Sequence, residues 1–97
     1  MGDVRISVRP ARSANAQNLL LMVDGQILDL GEEEAAASLK PGEHTVSAIL
    51  TRKDGESGPV SGEVTLQSEN GDVIDTLQVE VADWGEINQV KKTVRIG

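Results

Sequence analysis

The stretch His44-Thr45-Val46-Ser47-Ala48-Ile49-Leu50-Thr51 decides the fold class. In an extended chain successive side chains point to opposite faces, so His44, Val46, Ala48 and Leu50 share one side. Thr45, Ser47, Ile49 and Thr51 share the other. A period of two sustained this long is strand patterning. Lys40-Pro41-Gly42-Glu43 turns the chain before it, and Lys53-Asp54-Gly55-Glu56-Ser57-Gly58-Pro59 is turn chemistry after it.

The same alternation recurs in both directions. Val4, Ile6 and Val8 alternate with Arg5, Ser7 and Arg9, and Pro10 is expected to close this strand. Residues 11–18 are small and polar and read as a loop or a frayed edge. Leu19-Leu20-Leu21-Met22-Val23 is apolar on both faces, and Asp24-Gly25 marks a hairpin returning through Ile27-Leu28-Asp29-Leu30. Val60, Val64 and Leu66 alternate with polar residues, Glu69-Asn70-Gly71-Asp72 signals another hairpin, and Leu77, Val79 and Val81 follow. Asp83-Trp84-Gly85-Glu86 breaks the pattern before Val90, Val94 and Ile96 carry a last strand.

Residues 32–40 admit two readings. Glu32 to Glu34 suit a helix N-terminus, Ala35 to Ala37 are the best helix formers, and Pro41-Gly42 is a stop. So short a helix needs tertiary support, and a sheet context would draw Ala35 to Leu39 into a strand. With seven to eight strands and no alternation of strands with helices, the expected fold is all-β. It is a single antiparallel immunoglobulin-like sandwich over residues 1–97, with room for one short helix at 32–40.

Composition agrees with a folded domain. The 11 Val, 9 Leu and 6 Ile among 97 residues exceed the roughly 20% below which chains stay disordered. A chain of this mass should expose about 5,400 Å² when folded, having buried roughly two-thirds of its surface. Cysteine is absent, which excludes disulfide scaffolds, zinc–thiolate sites and thiol catalysis. The longest apolar run, Leu19 to Val23, is far short of a bilayer span, so membrane insertion is not expected. No signal peptide is expected either, since Met1-Gly2-Asp3-Val4-Arg5 leads directly into a strand, and Ile6 stands where a myristoylation signal needs Ser or Thr.

The net charge of −7 is unevenly spread. Arg5, Arg9 and Arg12 face only Asp3 in the first twelve residues, and Lys91, Lys92 and Arg95 lie near the other end. The remaining 15 acids share the middle with Lys40, Arg52 and Lys53. Nucleic acid is a poor partner for such a surface, and without Phe or Tyr there is no stacking platform. Because like charges repel across a ladder, residues 4–9 and 90–96 are expected to flank acidic strands rather than pair together. Their basic faces would otherwise suit an acidic surface of another copy.

Leu39-Lys40-Pro41-Gly42-Glu43-His44-Thr45-Val46-Ser47-Ala48-Ile49-Leu50 resembles the strand–turn–strand step of bacterial immunoglobulin-like and fibronectin-type-III-like domains. Asp54-Gly55-Glu56-Ser57-Gly58-Pro59-Val60-Ser61-Gly62-Glu63-Val64-Thr65-Leu66 is similar to the hairpin of CopC-like copper-carrier sandwiches. The resemblance implies the sandwich fold; by analogy with that fold class, the expected function is a non-catalytic interaction or structural module of a larger bacterial or phage extracellular assembly. It does not carry copper over: Glu56 follows Asp54-Gly55 where those carriers place a ligand histidine, and the chain begins with Met1 rather than an N-terminal histidine.

No catalytic, metal or cofactor residue is assigned. His44 is the sole imidazole and no serine sits in a nucleophile elbow, so nucleophilic catalysis is not expected. Paired carboxylates arise by chance among 16 acids, and sugar chemistry usually adds an aromatic platform that only Trp84 could supply. Glu69, Asn70, Asp72 and Asp75 at one hairpin, and Asp83 with Glu86 flanking Trp84, lack the EF-hand spacing for calcium. They keep open an alternative as a cation- or small-ligand-binding carrier domain. A further alternative is an artificial or consensus scaffold with no natural ligand.

The residues that point to a function are apolar ones with nowhere to go. If Leu19, Leu21 and Val23 face the interior, Leu20 and Met22 face outward and need a cover, and Ile49 poses the same question. A helix at 32–40 would supply the cover. Otherwise a protein partner or a second copy would. Trp84, the only large aromatic ring, is either a core plug or an exposed anchor at such a contact.

Overall fold

Strands form where the alternating pattern places aliphatic side chains on one face, and eight of them build two antiparallel sheets. The computed structural model describes residues 2–29, 34–83 and 85–96. In chain order the strands are β1 (Val4–Arg12), β2 (Ala16–Val23), β3 (Gln26–Asp29), β4 (Ala35–Leu39), β5 (Gly42–Arg52), β6 (Val60–Ser68), β7 (Val73–Val81) and β8 (Ile87–Ile96). The first sheet runs β4-β1-β6-β7 and the second β3-β2-β5-β8. The fold is an all-β sandwich. Its surface of 5956 Å² exceeds the expected value because the molecule is long and narrow, 48 × 20 × 18 Å.

Both sheets feed one core. Ile6, Val8, Val60, Val64, Leu66, Leu77, Val79 and Val81 enter it from the first sheet. Leu19, Leu21, Val46, Ala48, Leu50, Val94 and Ile96 enter from the second. Gly62 sits in this interior, and a Cβ there would lie 3.1 Å from a Leu50 methyl and 3.3 Å from one of Leu19, so its bare backbone leaves room for both leucines. Each fully buried branched aliphatic side chain contributes about 1.5–3 kcal/mol by leaving water.

Residues 35–39 are strand, which removes the helical reading there; residues 32 and 33 lie outside the described residues. Local alanine propensity gives way to pairing with β1 in five register pairs from Val4↔Leu39 to Val8↔Ala35. That pairing turns Ala35, Ala37 and Leu39 onto the core. Consequently β4 belongs to the first sheet and covers neither Leu20 nor Met22.

Three further expectations are corrected. Pro10 does not end β1, because β4 stops at Val8↔Ala35 and one side of β1 is then free of a partner that would need the missing N–H. Part of the segment expected as a loop is strand: Ala11 and Arg12 finish β1, and β2 begins at Ala16 with a bulge before Asn18. The segment resembling a hairpin, Asp54 to Leu66, instead crosses between sheets, since β5 pairs with β2 and β8 while β6 pairs with β1 and β7. The Asp24-Gly25 hairpin is as expected. Both residues have positive φ (51° and 86°), the two-residue turn whose twist matches flanking strands. β1 and β8 lie in different sheets, and Arg95 stands opposite Glu43 in the ladder.

Candidate interaction surface

The two outer faces of the sandwich differ in kind. Outward positions of the first sheet include Arg5, Ser7, Arg9, Ser38, Thr65, Glu63, Thr76 and Gln78, the ordinary polar alternation of a solvated sheet. They bond among themselves: Arg9 pairs with Glu34 at 2.9 Å, and the Gln78 amide donates to Glu63 at 3.2 Å. The outer face of the second sheet carries Ile27 on β3, Leu20 and Met22 on β2, Ile49 on β5 and Ile87 at the start of β8.

Register makes these five residues one stripe. Met22 stands opposite Ile27, Leu20 opposite Ile49, and Ile87 one step diagonally beyond Ile49, next to Gln89. Cross-strand neighbours lie about 4.5–5.5 Å apart at Cβ and diagonal ones about 7–8 Å, so the stripe is continuous across all four strands. Leu20, Met22 and Ile49 are half-buried by their neighbours, while Ile27 and Ile87 are 65% and 63% exposed. Ser47, between Met22 and Lys91 in the ladder, is only 5% exposed.

The sequence therefore points to Leu20, Met22 and Ile49, and the structure brings them together on one face. It misses Ile27 and Ile87. The Asp24-Gly25 turn fixes Ile27 opposite Met22, so that signal was present. Ile87 had none, because Ile87-Asn88-Gln89 puts the apolar residue outward and Asn88 toward the other sheet, where its amide donates to the Glu80 carbonyl at 2.7 Å. Trp84 lies outside the described residues.

His44 does structural work beside this face. Its Nδ1 is 2.5 Å from an Asp24 carboxylate oxygen and its Nε2 is 2.6 Å from the Lys40 carbonyl. The other Asp24 oxygen accepts from the Thr45 N–H at 3.0 Å. The ring is 11% exposed and thus joins the β2–β3 turn to the entry of β5. Two acceptors on two ring nitrogens require both to carry protons. The Lys40 carbonyl first, then Asp24, accordingly raise the His44 pKa above its ordinary value near 6.5. Asp24 is lowered, chiefly by the His44 hydrogen bond and then by the Thr45 N–H.

A raised histidine pKa stabilises the fold fully below the unfolded value and ceases to do so as pH rises through the folded one. Urea midpoints measured between about pH 5 and pH 9 should therefore fall from about pH 6.5 upward. His44→Gln should flatten that fall, and an equal slope in both proteins would refute the clamp.

Of the acids considered for a cation, Asp75 is engaged elsewhere. Asp75 takes Lys92 at 2.6 Å and the Thr76 N–H at 2.8 Å, and its pKa is lowered mainly by Lys92. That ion pair bridges β7 and β8, the neighbouring edges of the two sheets. Asn70 is bonded to the Ser68 hydroxyl. Among the described residues no three His, Asp or Glu side chains converge as a metal would require, and no helix is long and apolar enough to cross a membrane. Comparison of the chain with protein-family models, curated proteins and solved structures finds no match in any of the three.

Proposed function

We propose that this chain is a non-catalytic interaction module whose contact surface is the outer face of the second sheet. The observation that carries this reading is the contrast between the two outer faces of one sandwich. The first is polar apart from Ala11, Ala36 and an isolated exposed Val73 at the start of β7, whereas the second bears a continuous aliphatic stripe from Ile27 to Ile87. Contiguous exposed apolar surface of this kind marks contact sites in soluble proteins.

We also read the sandwich as immunoglobulin-like. That fold keeps strands B and E together in one sheet and C, F and G in the other. Taking β1, β2, β4, β5 and β8 as B, C, E, F and G, the pairings β1–β4, β2–β5 and β5–β8 are the required ones. β6 then fills the position of strand A beside B, reached through an added hairpin between F and G. Folds of this class serve many functions, so the site and not the fold carries the functional reading.

The experiment is to replace Leu20, Met22 and Ile49 together by threonine, which keeps strand propensity. If the stripe exists for contact, the triple variant keeps its strands by circular dichroism and loses less than about 2 kcal/mol at high dilution. Loss of the fold would show that the stripe supports the sandwich itself and would remove the reading.

A further inference from the structure

We infer that the occupant of this face is a second copy of the chain, packed face to face about a two-fold axis lying along the aliphatic stripe. This rests on the reading of the second sheet's outer face as the contact surface.

Three observations select a copy over another kind of partner. The first is the geometry of the stripe. It runs diagonally from Ile27 on the edge strand β3 to Ile87 on the opposite edge strand β8. Rotation by a half-turn about that diagonal lays every aliphatic residue of one copy on the stripe of the other, the self-complementary patch that a two-fold dimer needs.

The second observation is charge. Two molecules of net charge −7 repel, yet outward on β5 and β8 this face carries Lys91, Arg95 and Glu43, the last two opposite one another in the ladder. Glu63 and Glu80 lie on the first sheet, facing away. The same half-turn sets the Lys91 flank of one copy against the Asn18 flank of the other, so the lysines do not meet. Neither the stripe nor its flanks presents a block of acid to an identical face.

Size is the third. The four strands, from four residues in β3 to eleven in β5 and spaced about 4.8 Å apart, give roughly 500 Å² of flat face per copy, or about 1,000 Å² for a pair. That total stands at the threshold of specific interfaces, so the dimer is weak and forms at high concentration.

Sedimentation of the whole chain from about 10 µM to about 1 mM, at about 0.15 M salt, tests the inference. The weight-average mass is expected to climb from 10.3 kDa toward twice that value. Ile49→Lys should hold the mass at the monomer value throughout, and Leu20→Thr with Ile49→Thr should do the same if the lysine variant fails to fold. Glu63→Lys, on the first sheet, should leave association unchanged. A wild-type chain that stays monomeric overturns the second copy, and so does a dimer that survives both stripe variants. Growth beyond the dimer would overturn the closed two-fold arrangement. A monomeric wild type whose triple threonine variant keeps its fold would make the occupant a different protein, which separates failure of this inference from failure of the contact-surface reading.

Discussion

Replacing Arg52 with alanine should lower unfolding free energy by about 3 kcal/mol, the cost of removing a cation shared by three backbone carbonyls. Arg52 ends β5, and its guanidinium reaches across the end of the sandwich. Nη1 donates to the Asp83 carbonyl at 2.9 Å, and Nη2 donates to those of Gly58 and Ala82 at 2.8 and 2.6 Å. Two crossing connections, 53–59 and 82–86, are thus held by one side chain. Asn15 does the complementary work from the β1–β2 loop, donating to the Ser57 and Pro59 carbonyls at 3.2 and 3.1 Å. Alanine would free three carbonyls at once and delete the stem that fills the space between the loops. For a chain of this size the melting temperature should drop by roughly 15 °C. Arg52→Lys should recover only part, because an ammonium is a point charge without the planar fork. A loss below about 1 kcal/mol would mean the two connections hold themselves.

Leu50→Ala should cost a similar amount, about 3–4 kcal/mol, because the side chain crosses from the second sheet to the first and is fully buried. Gly62 gives this prediction a second arm. In the native core a Cβ at position 62 would press on Leu50 and Leu19 at 3.1 and 3.3 Å. Once Leu50 is cut back, the same Cβ enters the vacated space. Gly62→Ala should therefore be more favourable by about 1 kcal/mol in the Leu50→Ala background than in the wild type. Urea unfolding of the four proteins measures that coupling. Simple additivity would show that the two sheets do not meet at this pair.

How much of this was legible follows from the range of the forces involved. β5 could be read because its alternation is local, and the β2–β3 hairpin could be read because Asp24-Gly25 is a turn that few other pairs form. β4 could not. Its alanines favour a helix, and only the pairing with β1, some thirty residues earlier, makes them a strand. The crossing at 53–59 has the residues of a hairpin turn, and nothing within it reveals that its flanking strands lie in different sheets. Strand order is set by which aliphatic faces meet in three dimensions, so it has no one-dimensional signature.

The contact face divides in the same way. Leu20, Met22 and Ile49 announce themselves as apolar residues at outward positions of well-patterned strands. Their cover could not be read, because it depended on where residues 35–39 go. Ile87 opens a strand whose first residues run against the usual pattern, since the edge of β8 turns Asn88 to the β7 backbone. The basic ends of the chain do avoid each other, but the acidic flanks expected for them are not what the ladder supplies: Arg5 stands opposite Ser38, Arg9 opposite Thr65 and Lys91 opposite Ser47, and it is Arg95 that meets an acid, Glu43.

The central claim is that the outward aliphatic residues of the second sheet are there for contact and not for the fold. Urea unfolding of the triple variant Leu20→Thr, Met22→Thr, Ile49→Thr, beside Leu21→Thr on the inner face of the same strand, tests it most directly. Leu21→Thr alone should cost at least about 3 kcal/mol, whereas the three outward changes together should cost less than about 2 kcal/mol. Equal or greater loss from the outward set would contradict it.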